Sequence, residues 1–264
     1  MEVSSFTGPK IKLFISFVLM PTLSVIIPTF NEAIYIKDAL QSVQFADQII
    51  VVDSFSTDET QEIAKPLATK ILERKFDNFS AQKNYALEYV TGEWVLFIDG
   101  DERVTRSLEA EIKSILAQPK HSGYKINFPH FFMTRFLYSQ SSDVLRLVKR
   151  EGAHFTGLVH EKLHCSGSVG KLKQKMIHYT YKGLNHYITK KEKYAWFQAE
   201  QRQDKKKKTT YFHLFFKPTY RFFDSYIKRG GFRNGIPGLT VAAIDSYGVF
   251  SRYVKLILLN RGMK

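Results

Sequence analysis

Four short apolar runs in the first hundred residues constrain the fold more than any other feature. They are Leu23-Ser24-Val25-Ile26-Ile27-Pro28, Gln48-Ile49-Ile50-Val51-Val52-Asp53, Lys70-Ile71-Leu72-Glu73 and Trp94-Val95-Leu96-Phe97-Ile98. Runs of this length bounded by polar loops read as buried strands. Between the first two, Ile36, Ala39, Leu40 and Val43 fall on one helical face. After the second, Ser56 is placed to cap a helix and Glu59 to close a capping box. Ser80 to Val90 reads as the next helix. Alternating strands and helices predict an α/β fold with a mostly parallel sheet covered by helices on both faces. In such sheets ligands bind outside the carboxyl ends of the strands.

Acids collect at that edge. Glu32, Asp53, Asp99 and Asp101 each lie at or just beyond a strand end. Asp99-Gly100-Asp101 places two carboxylates at i and i+2, where a strand gives way to a loop. Oxygen ligands of this kind suit a hard divalent cation, Mg²⁺ or Mn²⁺. Such a cation can hold a diphosphate and stabilise it as a leaving group. Taken alone, an Asp-x-Asp is equally a solvated turn, and polar residues after strands are common.

Together, Pro28-Thr29-Phe30-Asn31-Glu32, Val51-Val52-Asp53-Ser54-Phe55-Ser56-Thr57-Asp58-Glu59-Thr60 and Asp99-Gly100-Asp101-Glu102 resemble family 2 glycosyltransferases of the GT-A fold. Asp77-Asn78-Phe79-Ser80-Ala81-Gln82-Lys83-Asn84 is similar to the branch that contains the lipopolysaccharide core β-1,4-glucosyltransferases. Gly100 departs from the alanine usual in that branch and leaves the carboxylate spacing intact. The resemblance implies that Pro28, Thr29, Asn31, Glu32 and Asp53 hold the nucleoside of a nucleotide-diphosphate sugar, UDP-hexose foremost, with Asp53 facing base or ribose. Lys83 is then placed near base or phosphates, Asp99 near ribose or sugar, and Asp101, with Asp99, at the metal. The family inverts the anomeric carbon by direct displacement, which requires a general base on the acceptor hydroxyl. Glu161, in Gly157-Leu158-Val159-His160-Glu161-Lys162-Leu163-His164, takes that place, with His160 orienting it or contacting phosphate. A surface salt bridge is the plainer role for Glu161.

The same segment matches the H-E-x-x-H pattern of zinc proteases through His160, Glu161 and His164. That chemistry needs a helix, which alone puts i and i+4 on one face. Gly157 and the run Cys165-Ser166-Gly167-Ser168-Val169-Gly170 leave little room for one, and Glu192 is the first acid downstream.

Charge divides the chain. Residues 162–264 hold 22 Lys/Arg and 5 Asp/Glu, a net of +17, whereas residues 1–161 carry a net of −3. Basic and aromatic residues at helical spacing in 217–229 favour an anionic interface. Ile236 to Leu259 is apolar but interrupted by Asp245, Arg252 and Lys255, which argues against a spanning helix. The expectation is one or two in-plane helices touching the anionic inner membrane near a glycan or lipid-linked acceptor, the enzyme being cytoplasmic and peripheral. Packing of these aromatics on the catalytic domain is the alternative. A nucleic-acid reader would also be basic, but it leaves the acidic strand ends unexplained. The single cysteine, Cys165, is consistent with a reducing compartment. Residues 1–19 read as an extension or a misplaced start, 20–182 as the catalytic domain, and 183–264 as a basic helical region. In the middle, Tyr124 to Phe128 and Val144 to Val148 read as strands, and Phe131, Phe132, Phe136 and Tyr138 as lining an acceptor groove or serving a core or lid. Asn185 to Gln203 reads as a helix.

Overall fold

A computed structural model describes residues 22–133, 135–157, 161–179, 183–205 and 209–263. The expectations for residues 1–19, for His160 and for the side chain of Tyr138 lie outside the described residues. Strand β1 (Leu23–Thr29) pairs in parallel with β2 (Gln48–Asp53), which pairs in parallel with β3 (Lys70–Glu73). On its other side β1 pairs in parallel with β4 (Trp94–Phe97). Alternate residues of these strands enter two separate apolar layers. Val25, Ile27, Val51 and Leu96 face one layer, and Ile26, Ile50, Val52 and Phe97 face the other. This two-sided burial is why the runs are uninterrupted rather than alternating. Helix α1 (Ala33–Gln41) supplies Ile36, Ala39 and Leu40 to the first layer. Helix α2 (Thr60–Ala64) packs beside it, and α3 (Phe79–Leu87) covers the second layer through Ala86.

After the two-residue strand β5 (Glu102–Arg103), α4 (Arg106–Ala117) adds Leu108, Ile112 and Leu116 to the first layer. A long hairpin follows, β6 (Gly123–Phe132) and β7 (Arg135–Lys149). Its second strand joins the sheet antiparallel to β4. Strands β8 (His154–Thr156) and β9 (Lys162–His164) form a separate two-stranded sheet. β10 (Val169–Lys175) and β11 (Ile177–His178) return to β6, and β11 also pairs antiparallel with β5. The result is the expected α/β architecture with a mostly parallel central sheet.

Three helices complete the chain: α5 (Leu184–Asp204), α6 (Tyr211–Phe223) and α7 (Gly235–Asn260). Helix α6 widens into a π-type turn over Asp224–Lys228. The reversal uses Gly230 at φ 73°, and Gly238 lets α7 approach, because a Cβ there would meet the Gly231 carbonyl oxygen at 2.0 Å. The expectation of one or two helices over Ile236 to Leu259 is met by one. The segment is one continuous helix, and α7 buries Val241, Ala242, Leu256 and Leu259 in clusters shared with α5 and α6. Two of its three charges are paired inside the protein, Asp245 with Lys191 and Arg221, and Lys255 with Glu192. Among the described residues no helix is long and apolar enough to cross a membrane. Phe132 is buried against Tyr187 of α5, ring centroids 5.7 Å apart, so it anchors the helical layer rather than facing a groove.

Candidate functional site

The loops after β1 and β2 are tied together by the residues expected to hold a nucleoside. Asp53, wholly buried, accepts hydrogen bonds from Thr29 Oγ1 (2.8 Å), the Ser56 amide (2.7 Å), Ser56 Oγ (2.6 Å) and Gln61 Nε2 (2.8 Å). Its carboxylate is thus satisfied by the protein. These bonds fix the loop between β2 and α2, beside the other residues expected to hold the nucleoside. Ser56 likewise serves Asp53 rather than capping α2, whose N-cap position is Glu59. Asn31 adopts φ 54°, and its Oδ1 accepts the Thr57 amide at 2.8 Å. Glu32 donates its amide to Thr60 Oγ1 at 2.8 Å, and Pro28 ends the inner part of β1 beside Val52. Two aromatics that sequence reasoning passed over, Phe30 and Phe55, stand more than half exposed on these loops, Phe55 at φ 61°. A bulky residue in the left-handed region is costly, by about 1–3 kcal/mol, and such strain concentrates at functional sites.

The second half of the site is a chain of alternating charges. Lys83, almost wholly buried on α3, places Nζ 2.9 Å from Glu161 Oε1 and 3.6 Å from Asp99 Oδ1. Asp99 Oδ2 accepts from Arg146 Nη2 at 2.9 Å, and the same nitrogen reaches Glu102 Oε1 at 2.7 Å. Burial pushes the Asp99 carboxyl up, but Arg146 and Lys83 outweigh it and hold Asp99 well below the usual carboxylate range. Burial pushes Glu102 up to about 7, with Arg146 opposing and Asp99 adding to the rise. Sequence reasoning missed Arg146 and Glu102.

Asp101 faces a further residue that the sequence did not flag, His178. The β5–β11 pairing sets His178 opposite Glu102, and His178 Nε2 lies 3.6 Å from Asp101 Oδ1. Burial lowers the His178 imidazole, but Asp101, then Glu102 and Asp99, more than offset it and raise it above its ordinary value. One carboxylate oxygen and one imidazole nitrogen at this separation suit a cation between them. Among the described residues no three His, Cys, Asp or Glu side chains form a closed cage.

Helix α3 positions the base candidate. Its N-cap Asn78 accepts the Ala81 amide at 2.9 Å, Ser80 Oγ donates to the Gly157 carbonyl, and Gln82 donates to Ser54 Oγ at 3.0 Å. Asn84 brackets Phe155, donating to its carbonyl at 3.0 Å and accepting its amide at 2.8 Å. These bonds dock β8 and the start of the segment that leads to Glu161. The zinc-protease pattern fails on local structure. The helix that the pattern needs is not formed, because Lys162–His164 is a strand. His164 stacks on His154, centroids 4.8 Å apart, and its Nε2 meets Thr156 Oγ1 at 2.8 Å.

Comparison with known proteins gives the family of the chain. The family model described as "Glycosyl transferase family 2" matches residues 24–179. An "Uncharacterized glycosyltransferase" of Rickettsia felis is 29% identical over 256 residues, covering 90% of both chains. The "Lipopolysaccharide core biosynthesis glycosyltransferase LpsC" of Rhizobium meliloti is 25% identical over 246 residues, covering 89% of this chain and 91% of that one. The mannosyltransferase PcManGT of Pyrobaculum calidifontis, solved with GDP-Man and Mn²⁺, superposes with a TM-score of 0.54 at 16% identity, over 91% of this chain and 88% of that one. That likeness is one of fold, the GT-A arrangement described above. With the model match spanning the sheet, its acidic edge and His178, the chain belongs to glycosyl transferase family 2.

Proposed function

We propose that this glycosyltransferase moves a hexose, with inversion, from a nucleotide-diphosphate sugar to a lipid-linked or lipopolysaccharide-core acceptor. The observation that carries the reading is the single Lys83 ammonium joining Glu161 to Asp99. It brings a carboxylate able to accept a proton next to the acidic edge where a diphosphate would lie. The loops fixed by Asp53 frame the nucleoside, with Phe30 and Phe55 offering faces to the base. A diphosphate at Asp99 competes for Lys83 and releases Glu161. Glu161 then takes the acceptor hydroxyl proton, the new glycosidic bond forms, and the bond from the anomeric carbon to the diphosphate breaks with its electron pair leaving on oxygen. A divalent cation held by Asp101 and His178 would supply charge stabilisation to that leaving group. The name of the Rhizobium relative and the GDP-Man and Mn²⁺ in the Pyrobaculum structure support this choice of acceptor, donor type and ion.

Glu161→Gln should keep donor binding, read by calorimetry with a UDP-hexose and Mn²⁺, while turnover falls by about 10²–10⁴, the usual contribution of a general base. Unchanged turnover would remove Glu161 from this role.

The acceptor's place at a membrane is supported by α6. Tyr211, Phe212, Phe215, Phe216, Tyr220 and Phe223 are all at least half exposed, with Lys217, Arg221, Lys228 and Arg229 beside them. An aromatic face flanked by cations, on a half of the chain with net charge +17, fits an anionic bilayer at the cytoplasmic face. Co-sedimentation with phosphatidylglycerol vesicles should be lost in Phe215→Ser/Phe216→Ser. Equal sedimentation of the variant would refute this contact.

A further inference from the structure

Helices α5, α6 and α7 enclose a cavity of about 570 Å³ that the catalytic reading leaves unused. Four cations line it, Lys191, Lys217, Arg221 and Arg252, against one carboxylate, Asp245. That carboxylate is already shared. Lys191 Nζ lies 2.5 Å from Oδ1, Arg221 Nη2 lies 2.5 Å from Oδ2, and the Tyr187 hydroxyl donates to Oδ1 at 2.8 Å. Arg252 has a neutral partner instead, donating from Nη1 to Gln198 Oε1 at 2.7 Å, and its Nε is buried without a hydrogen-bond partner. Burial pulls the Arg252 guanidinium down from its ordinary value, and a neighbouring cation, Arg202, pulls the same way. A concave site lined by four cations and Asp245, with Asp224 reaching Arg221 at 3.5 Å from outside the lining, keeps an excess of positive charge and matches an anion with several acceptor oxygens.

Its location narrows the choice. On one side the lining includes Tyr220, two-thirds exposed on the aromatic face of α6. On another it includes Tyr194, whose phenol is pushed up by burial and then by the Glu161 carboxylate. The cavity therefore lies between the surface assigned to the membrane and the base assigned to the acceptor.

We infer that this cavity binds a phosphoryl group carried by the acceptor, gripped by Lys217 and Arg252. The inference rests on the proposed acceptor side of the reaction. The phosphoryl group has two sources, a lipid head group or a soluble sugar phosphate, which share the same recognition chemistry. Each is tested with the full chain and saturating UDP and Mn²⁺, so that the donor cleft is filled. The probes are glucose 1-phosphate, read by calorimetry, and phosphatidylcholine vesicles with or without phosphatidic acid, read by co-sedimentation. Lys217 is exposed and its replacement spares the core; Lys217→Gln should weaken binding of the phosphate-bearing probe about tenfold, the loss of one charge-assisted contact. Arg252→Gln is the second variant and should act in the same direction. Binding of glucose 1-phosphate weakened by Lys217→Gln assigns the soluble source. Binding only of phosphatidic acid vesicles, weakened by Arg252→Gln as well as by Lys217→Gln, assigns the lipid. If neither probe binds, or if both variants bind as the parent does, the inference is overturned. UDP and Mn²⁺ binding in the same samples separates this failure from failure of the glycosyltransferase reading, because that binding needs the acidic edge and not this cavity.

Discussion

Replacing Arg146 by methionine tests the charge chain most directly. The guanidinium meets two carboxylates, and they differ in what they lose. Asp99 is 38% exposed at its side chain and keeps Lys83, so its share of the cost is small. Glu102 is wholly buried and has no second cation within ion-pair distance among the described residues. Removing one partner of a buried pair costs about 3–5 kcal/mol, and Glu102 keeps the Asp99 amide at 2.9 Å, so the low end, about 3 kcal/mol, applies. At about 2–4 °C per kcal/mol for chains of 150–250 residues, the loss is about 6–12 °C in Tm. The cost depends on pH with a definite sign. The folded protein holds the Glu102 proton from the ordinary value of 4.5 up to about 7. This contribution to stability is therefore present at low pH and is lost as pH rises through that window. Without Arg146 the carboxyl is held neutral over a wider range, so the variant's deficit should be larger at about pH 8.5 than at about pH 6. Calorimetric melts at both values, with Arg146→Met/Glu102→Gln as the companion, read this out. The companion should recover most of the loss. A deficit below about 1 kcal/mol, or the same deficit at both pH values, would refute the claim that Arg146 compensates a buried charge.

Asn84→Ala removes both bonds to Phe155 without touching the cleft, and should lower kcat while leaving UDP-hexose affinity unchanged; a parallel fall in affinity would show that α3 itself has moved. Tyr187→Phe deletes one donor to Asp245, which keeps Lys191 and Arg221, so urea unfolding should register a loss of about 1 kcal/mol. Burial raises the Asp245 carboxyl, but Lys191 and Arg221 outweigh it and hold it below 3.8. Its stabilisation is therefore present above that value and lost as pH falls below it, and acid unfolding of Asp245→Asn should lack this limb.

The first half of the fold was legible because β1, β2 and β4 are buried on both faces, which leaves uninterrupted apolar runs in the sequence. The edge acids were legible for the same reason, since each marks where a buried run ends. Arg146 was not. It sits inside Val144-Leu145-Arg146-Leu147-Val148, which reads simply as a strand, and its partners Asp99 and Glu102 lie 47 and 44 residues away, so no local spacing announces the contact. His178 was hidden likewise, brought to Asp101 by a two-residue strand pairing. The packing of α7 was not legible, because periodicity reports which face is apolar, not what covers it; here α5 and α6 do.

The eight residues from Asp77 to Asn84 carried the narrowest part of the resemblance, and their contacts explain why that run is informative. Asp77 is gripped by Arg74 at 2.7 Å, Asn78 caps the helix, and Gln82 reaches Ser54 on the loop after β2. Ser80 and Asn84 hold Gly157 and Phe155, and Lys83 meets Glu161 and Asp99. One short helix thus touches the loop after β2, the acid after β4 and the segment that bears the base. A glycosyl transfer by displacement needs the nucleophile and the departing diphosphate on opposite sides of one carbon, so the distance between those sides must be fixed. With Glu161 as the proposed base and the diphosphate proposed at Asp99, helix α3 contacts both sides through Lys83. Changes in its polar face therefore act on the reaction through spacing, even at residues that touch neither donor nor acceptor.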